Sequence, residues 1–540
     1  MGKAFDRWLP AAAFLAIALF VACFNLADSG PLWPDGPQYA NAGAMFYDWF
    51  RSGDYLHLLQ FARDNYARYP AFHMPYHPPA YPALLGLFFL IAGVSAASAR
   101  VFIALCLWLA GCSFYAILRR AGVGSRIAFW STVVFLTVPE IAYWSRSTMS
   151  ETPGLMMILA ATWFFLTWIE QDSAEAYVIA FVLAQAAFLS RYLTAGILPA
   201  WFLWAILAGK WRRLFTPVGV LMPALFLVCS AAWTVFSRRY SVFEIGSGAQ
   251  GPVVGAFSGR VLFSQVAWLP GSLGWPLLVA GAVALVWIAM AQGSLFQRFW
   301  LPAWLVSGAG FLLATGIHGE PRYFLYVLPV FPIAVARMLN GKGIWWLSGA
   351  LLAGILLANA IQFSRFSQGA VGHAAIAERM AKWTDKGNVL VSVPLQSELI
   401  FEYRSKDPAV QRSFIRADRT LAVRPPEYAS VKPVVLVHNP GDVLETLRKG
   451  RIRYIALSED GSREVALLRQ TLRSDPGQFV HLGDFTLKNA FTPAEVSHVE
   501  LWKNTGDLPE GASELPVVVP TAGLSLPAAR QLTQTSSRPR

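Results

Sequence analysis

The feature that most constrains this chain is a series of apolar runs, each nearly long enough to cross a membrane. A spanning helix needs about 20 apolar residues, and roughly 17 is the practical minimum. Runs that meet or approach this length are 9–27, 99–118, 127–144, 153–169, 193–209, 216–236, 273–291, 299–316, 322–337 and 344–362. The shorter run 177–190 is counted with them, because Ser190-Arg191-Tyr192 divides the stretch 177–209 into two helices. The sequence therefore predicts a polytopic all-α membrane domain with about eleven transmembrane helices.

The composition excludes a water-soluble globule. Hydrophobic residues make up 55% of the 540 positions and charged residues 14%, whereas soluble domains contain about 25% charged residues. The formal net charge is +12, but the Lys and Arg residues lie in short loops between apolar runs and form no single basic patch. Orientation in a membrane explains this distribution better than nucleic-acid binding does, so no nucleic-acid partner is expected.

The basic loops predict the orientation of the chain, because cytoplasmic loops are enriched in Lys and Arg. If the N-terminus is cytoplasmic, the loops on that side carry Arg119, Arg120, Arg126, Lys210, Arg212, Arg213, Arg298, Arg337 and Lys342. An odd number of spans then places the chain after residue 362 outside the cytoplasmic (inner) membrane. The segment 80–93 is too short to span, so we predict an interfacial helix that ends a large outer loop, residues 28–98.

Beyond residue 365, where the predicted membrane domain ends, the pattern changes. Short apolar strands alternate with amphipathic helices, which indicates a small external α/β domain over residues 366–510 with a mainly parallel sheet. Glu398, Glu402 and His438 are scattered in it and are expected on its surface. Residues 511–540 are predicted to be a disordered tail, because they are rich in Ser, Thr, Pro and Arg.

Ionisable residues at the ends of membrane helices are candidates for function, because their burial is costly unless they are paired or face water. Four such clusters fall on the outer side in this topology: Trp33-Pro-Asp35-Gly-Pro-Gln-Tyr39, Tyr76-His77-Pro-Pro-Ala-Tyr81, Arg146-Ser-Thr-Met-Ser-Glu151 and His318-Gly-Glu320-Pro-Arg322-Tyr323. Their position did not enter the choice of topology. It therefore supports a single outward-facing site independently.

Each cluster also has a structural interpretation. Asp35 could cap its Pro-rich turn, and Glu151 could act only on the dipole of the helix that it begins. Arg146 and Arg322 could be anchors at the membrane surface instead of phosphate ligands. His77, which precedes two prolines, is more often structural than catalytic when taken alone.

In this order and spacing the four clusters resemble the polyprenyl-phosphate-dependent glycosyltransferases of family 39, which include protein mannosyltransferases and lipid A aminoarabinose transferases of the GT-C fold. The resemblance covers about residues 1–340. Three positions depart from the family pattern. Gly36 follows Asp35 where a second acid is common, His77 stands where aminoarabinose transferases typically carry Lys, and Glu151 stands where Asp is common.

The resemblance implies an inverting transfer of a sugar from a polyprenyl-phosphate donor to a lipid, glycan or protein acceptor of the cell envelope. Asp35 resembles the family's base and Glu151 is a second catalytic candidate, while Arg322, then Arg146, with His77 as a helper, would bind the donor phosphate. The further substrate-binding candidates are Tyr39, Tyr81, Glu320 and Tyr323. The outer loops contain no Asp-x-Asp pair, so no divalent metal or other cofactor is required by the sequence.

Two other classes of protein remain open. A secondary transporter would also be polytopic, although the chain shows no internal repeat of the kind on which transporters are built. A non-catalytic assembly protein for envelope glycans would depend on the external domain. The sequence leaves open which sugar is moved, a hexose or a pentose, which acceptor receives it, and what the external domain does.

Overall fold

The computed structural model of the protein describes residues 2–24, 26, 35–74, 76–240, 257–316, 320–340, 345–364, 371–406, 412–423, 434–459, 462–488, 496–511, 513, 515, 517–518 and 525–526. The first part of the chain is helical. Its helices are α1 (Gly2–Cys23), α2 (Gly36–Ser52), α3 (Leu58–Arg68), α4 (Ala80–Ala92), α5 (Ala96–Arg120), α6 (Ser125–Leu136), α7 (Pro139–Ser145), α8 (Glu151–Gln171), α9 (Ala174–Phe188), α10 (Leu198–Leu207), α11 (Pro217–Tyr240), α12 (Gly259–Leu273), α13 (Trp275–Met290), α14 (Leu295–Thr315), α15 (Val330–Leu339) and α16 (Trp345–Ser364). Short 3₁₀ helices occupy Tyr192–Ile197, Trp211–Phe215 and Pro321–Phe324.

The chain is a multi-pass membrane protein. Within the described residues, four helices are long and apolar enough to cross a membrane, namely those in Ala96–Arg120, Glu151–Gln171, Pro217–Ser237 and Trp346–Phe363. Two bent pairs, α6 with α7 and α12 with α13, could each add a span, which raises the number to six. The remaining predicted runs coincide with shorter or less apolar helices, so the total of about eleven spans stays a prediction.

Two pairs of consecutive helices are sharply bent. The axes of α6 and α7 differ by 60°, and Pro139 begins α7, where it cannot donate a hydrogen bond to the preceding turn. The bend between α12 and α13 is 115°. At the predicted break in 177–209, α9 ends at Phe188 and the chain resumes as a 3₁₀ helix after Arg191.

The described part of the predicted outer loop, residues 28–98, contains helices α2, α3 and α4. Helix α4 covers nearly all of the interfacial helix predicted at 80–93. It packs against α2 through two glycines: a Cβ added to Gly86 would come within 2.6 Å of the Phe46 Cβ, and one on Gly43 within 2.8 Å of Leu85. The backbones of α2 and α4 therefore approach each other closely.

The last part of the described chain is an α/β unit with one five-stranded sheet. The helices are α17 (His373–Ala381), α18 (Gln396–Lys406), α19 (Ala417–Thr420), α20 (Pro440–Lys449) and α21 (Arg463–Ser474). The strands are β1 (Asn388–Ser392), β2 (Phe414–Arg416), β3 (Ala422–Val423), β4 (Val434–Val435), β5 (Ile452–Ser458), β6 (Phe479–Lys488), β7 (Val496–Asn504), β8 (Val517–Val518) and β9 (Ser525–Leu526).

This sheet is mixed, so the prediction of a mainly parallel sheet is wrong. Its strand order is β2-β1-β5-β7-β6. Strand β1 pairs parallel with β2 and β5, whereas β7 pairs antiparallel with β5 and β6. Strands β6 and β7 are only seven residues apart in the sequence and pair antiparallel, which needs no crossover connection. The predicted tail, 511–540, falls mostly outside the described residues.

Two carboxylates that were expected on the surface are buried, so that expectation is wrong. Glu398 and Glu402 lie on α18 with 2% and 6% of their surface exposed, whereas His438 is exposed as expected. The Glu398 Oε1 lies 3.9 Å from the Nδ1 of buried His373. Burial raises the pKa of Glu398 well above its usual range and lowers the pKa of His373 to about 4. His373 is therefore neutral near pH 7, and burial favours the protonated form of Glu398.

Candidate active site

Three of the four polar clusters meet around the guanidinium group of Arg322. Its Nη1 lies 3.6 Å from the Glu151 Oε1 and 3.7 Å from the Asp35 Oδ2. Its Nε forms an ion pair with the neighbouring Glu320. Arg322 is thus the common partner of carboxylates that come from the start of α2, the start of α8 and the chain before α15. His318, from the same cluster, lies outside the described residues.

Asp35 immediately precedes α2, but its side chain makes no capping hydrogen bond. Only its backbone carbonyl is used, accepting hydrogen bonds from the backbone N–H groups of Gln38 and Tyr39. The carboxylate is 31% exposed. The capping interpretation is therefore not supported, and a part-exposed carboxylate remains available beside Arg322.

Glu151 is fully buried between two guanidinium groups. Besides Arg322, it contacts Arg191, whose Nη2 lies 3.0 Å from the Glu151 Oε1. Arg191 also packs over the ring of Tyr323, with 5.9 Å between its Cζ and the ring centroid. A carboxylate in this position does more than meet a helix dipole, because it neutralises two cations, buried Arg322 and part-buried Arg191.

Arg191 was not among the predicted site residues. The sequence analysis used it only as the break between two apolar runs. The available signal was that break itself, since an arginine between two membrane segments is a candidate for function.

An aromatic ring also packs against the guanidinium group of Arg322. Its Cζ lies 5.2 Å from the centroid of Trp144, which is within the range of cation–π contacts. The Trp144 indole donates to the Oε1 of buried Glu140 at 2.6 Å, and Ser272 of α12 donates to the other oxygen at 3.4 Å. Glu140 is a second residue that the sequence analysis missed.

Tyr39 of the first cluster packs against His77 and Tyr81 of the second cluster in a buried aromatic group. The rings of Tyr39 and His77 lie 4.2 Å apart, and those of Tyr39 and Tyr81 lie 5.4 Å apart. The Tyr39 hydroxyl accepts from Ser150 at 3.0 Å, and the Tyr81 hydroxyl donates to the Thr148 carbonyl at 2.7 Å. Both tyrosines are fully buried. Their hydroxyls thus connect the outer loop to the start of α8.

Within this aromatic group, His77 is a neutral side chain. Burial lowers the pKa of His77 to about 4, and the opposing charge of Asp35 compensates only in part. Its Nε2 lies 3.2 Å from the Gln38 Oε1, to which the neutral ring can donate. A neutral His77 has a single N–H group and no positive charge, so it could donate to a phosphate only in place of Gln38.

Arg146 is buried in a different environment from Arg322. Its Cζ lies 5.4 Å from the ring of Phe24 and 5.8 Å from the ring of Phe363. These rings come from the chain just after α1 and from α16. An anchor at the membrane surface would be exposed, whereas Arg146 is buried, and its predicted role as a phosphate ligand stays a prediction.

Comparison with known proteins gives one family match within the sequence. Residues 76–236 match the family model described as dolichyl-phosphate-mannose-protein mannosyltransferase. This segment includes His77, Arg146, Glu151 and Arg191, but not Asp35 or Arg322. A search of curated proteins finds no significant match.

Solved structures resemble nearly the whole chain. The structure of ArnT from Cupriavidus metallidurans bound to undecaprenyl phosphate has a TM-score of 0.57 at 15% identity, covering 91% of this chain and 97% of that chain. The apo form of the same protein has a TM-score of 0.56 at 16% identity, with coverages of 92% and 98%. The chain has the GT-C fold. Arabinofuranosyltransferase AftD from Mycobacteria is also similar, with a TM-score of 0.50 at 14% identity, but only 40% of that chain is covered, against 94% of this one.

The GT-C assignment confirms the fold that the ordered motifs implied. Within the described residues, no group of three or more His, Cys, Asp and Glu side chains is arranged to hold a metal ion. Whether the protein needs a metal is not decided by this arrangement. The polar groups of the candidate site are three carboxylates and two guanidinium groups in direct contact, together with a neutral histidine.

Proposed function

We propose that this chain is an inverting glycosyltransferase, which moves a sugar from a polyprenyl-phosphate donor to an acceptor of the cell envelope. The GT-C fold supports this proposal, as does the family match over 76–236. ArnT, which has the same fold, is described in complex with undecaprenyl phosphate. The donor sugar is a hexose or a pentose, and the acceptor is a lipid, a glycan or a protein.

The observation that carries the proposal is the contact between a part-exposed carboxylate and a buried guanidinium, Asp35 and Arg322. In the proposed reaction, Asp35 takes the proton of the acceptor hydroxyl while that oxygen attacks the anomeric carbon of the donor. The bond from the anomeric carbon to the phosphate oxygen breaks on the opposite face, and the phosphate leaves with the bonding electrons. The configuration at the anomeric carbon is inverted.

The leaving phosphate gains negative charge, which Arg322 can stabilise through two parallel hydrogen bonds. In the structure Arg322 is engaged by Asp35, Glu151 and Glu320, so a bound phosphate would replace part of these contacts. We assign Glu151 to holding Arg322 and Arg191 in place, because it is fully buried between them. Arg191 is then a second cation close to the departing phosphate.

The predicted topology places this site outside the cytoplasm. With a cytoplasmic N-terminus, the start of α2, the start of α8 and the chain before α15 all lie on the outer side of the inner membrane, together with the C-terminal unit. Their mutual contacts support this arrangement, since residues that touch must lie on the same side. A lipid-linked donor fits an external site, because nucleotide sugars are cytoplasmic.

Transfer from a radiolabelled polyprenyl-phosphate sugar tests the proposal. Membranes that contain the protein should release polyprenyl phosphate while label moves to an acceptor, and Asp35→Asn should lower this rate by about 10²–10⁴-fold, the usual contribution of a general base. Asp54→Asn is the matched control in the same loop, because Asp54 is exposed and pairs only with exposed His57 among the described ion pairs. Near-full activity of Asp35→Asn would refute the assignment of the base. Energised uptake of a soluble solute without transfer would favour a transporter instead.

A further inference from the structure

Helix α18 of the C-terminal unit contacts α2 close to the candidate base. Asn41 of α2 is fully buried, and its Nδ2 donates to the Ser397 carbonyl of α18 at 2.8 Å. The same Nδ2 donates to the Pro37 carbonyl at 2.9 Å. Pro37 lies in the first turn of α2, two residues after Asp35. One amide group therefore joins the C-terminal unit to the turn that follows Asp35.

Arg404 of α18 makes a second connection one to two turns further along α2. Its Nη2 donates to the Asp48 Oδ2 at 2.6 Å, and its Nη1 donates to the Asn41 carbonyl at 3.4 Å. Its Cζ lies 4.4 Å from the ring centroid of Tyr69, which follows α3. The side chain of Arg404 is only 6% exposed, so this ion pair is shielded from water on the arginine side.

Between the residues that make these polar contacts, α18 carries an aromatic residue that packs against α4. Phe401 is fully buried and belongs to the same apolar core as α1, α4 and α5. Its ring lies 6.4 Å from that of Phe89 on α4. On its other side, α2 is packed against α4 through Gly43 and Gly86. Helix α2 is thus held between α4 and α18.

We propose that α18 positions Asp35 for proton transfer, with Asn41 and Arg404 as positioning residues that act through α2. This inference rests on the proposed function of Asp35. The physical reason is that reacting groups must be held closely, and a displacement of about 1 Å can cost roughly 10²-fold in rate. Contacts that fix both the first turn and the middle of α2 limit such displacement.

A charge-reversal cycle on the full-length protein tests this inference. Arg404→Asp and Asp48→Arg should each lower kcat by roughly 10- to 100-fold with little change in KM for the lipid donor. The double variant Arg404→Asp with Asp48→Arg should recover a large part of kcat, because the ion pair is restored with reversed charges. Asn41→Ala should lower kcat in the same way, which provides a test that introduces no charge.

The melting temperature in detergent, measured for every variant, distinguishes positioning from a general loss of structure. The matched control reverses the exposed pair Glu378 and Lys382 on α17, whose charged atoms are 3.5 Å apart. This control should leave kcat and melting unchanged. Unchanged kcat in folded Arg404→Asp and Asn41→Ala, or a double variant no better than the single variants, would overturn the positioning role. If the wild type transfers sugar and Asp35→Asn does not, such a result leaves the proposed function intact, whereas an inactive wild type would refute the proposed function itself.

Discussion

Replacing Glu151 by Gln removes one buried negative charge from between the guanidinium groups of Arg191 and Arg322 and keeps the size of the side chain. The lost contacts are those of the Glu151 Oε1 with Arg191 at 3.0 Å and Arg322 at 3.6 Å. Breaking a buried ion pair by removing one partner costs about 3–5 kcal/mol, because a charge is left without compensation. If 3 kcal/mol of this appears in the transition state, the rate of transfer falls by about 10²-fold.

The assay compares purified full-length variants in detergent by melting temperature and by rate of sugar transfer. Glu170→Gln is the matched control, because Glu170 lies at the other end of α8 and is 48% exposed. Its Oε2 lies 3.5 Å from the Arg120 Nε, and an exposed pair of this kind contributes about 0–1 kcal/mol. Glu151→Asp, which keeps the charge on a shorter side chain, should fall between wild type and Glu151→Gln. If Glu151→Gln melted and transferred sugar like Glu170→Gln, the role of Glu151 in holding Arg191 and Arg322 would be refuted.

Two further predictions concern residues next to the site. Burial lowers the pKa of His77 to about 4, so between pH 4 and about 6.5 the unfolded chain binds more protons there than the folded chain, and stability is lost as the pH falls through this range. The melting temperature of wild type should therefore decrease more steeply than that of His77→Gln between pH 6.5 and 4.5, and parallel curves would contradict the buried neutral state. Glu140→Leu leaves the buried Trp144 indole without its acceptor, at a cost of about 1–3 kcal/mol, whereas Glu140→Gln keeps an acceptor oxygen. We expect Leu to lower the transfer rate more than Gln does, and equal rates would show that Trp144 does not help to hold Arg322.

The elements that the sequence predicted best are those set by local patterns. The helix at 80–92 was predicted from its length, the break before Arg191 from the polar triplet, and several strands of the C-terminal unit from their apolar runs. The orientation predicted that the polar clusters lie on one side of the membrane, because the basic loops lie on the other. The order and spacing of the motifs then predicted Asp35, Glu151 and Arg322 as residues of one site, and the structure brings the three side chains together.

What the sequence did not reveal depends on contacts between distant parts of the chain. Arg191 was recognised as a break but not as the partner of Glu151, since nothing local links residues 191 and 151. Glu398 and Glu402 look like scattered surface residues in the sequence, but α18 packs against α17 and α2, and Glu398 lies beside buried His373. The antiparallel half of the sheet was missed because apolar runs predict strands but not their direction.

The contacts of α18 also bear on the order in which the protein can be completed during synthesis. Asn41 and Ser397 are separated by 356 positions in the chain, and Asp48 and Arg404 by the same number. Chains fold broadly from the N-terminus as they are made, so α2 is synthesised long before its partner helix exists. A protein truncated after α16 would carry Asp35, Glu151 and Arg322 without the contacts that α18 makes with α2. In the cell, the site would thus reach its final form only after α18 has been made.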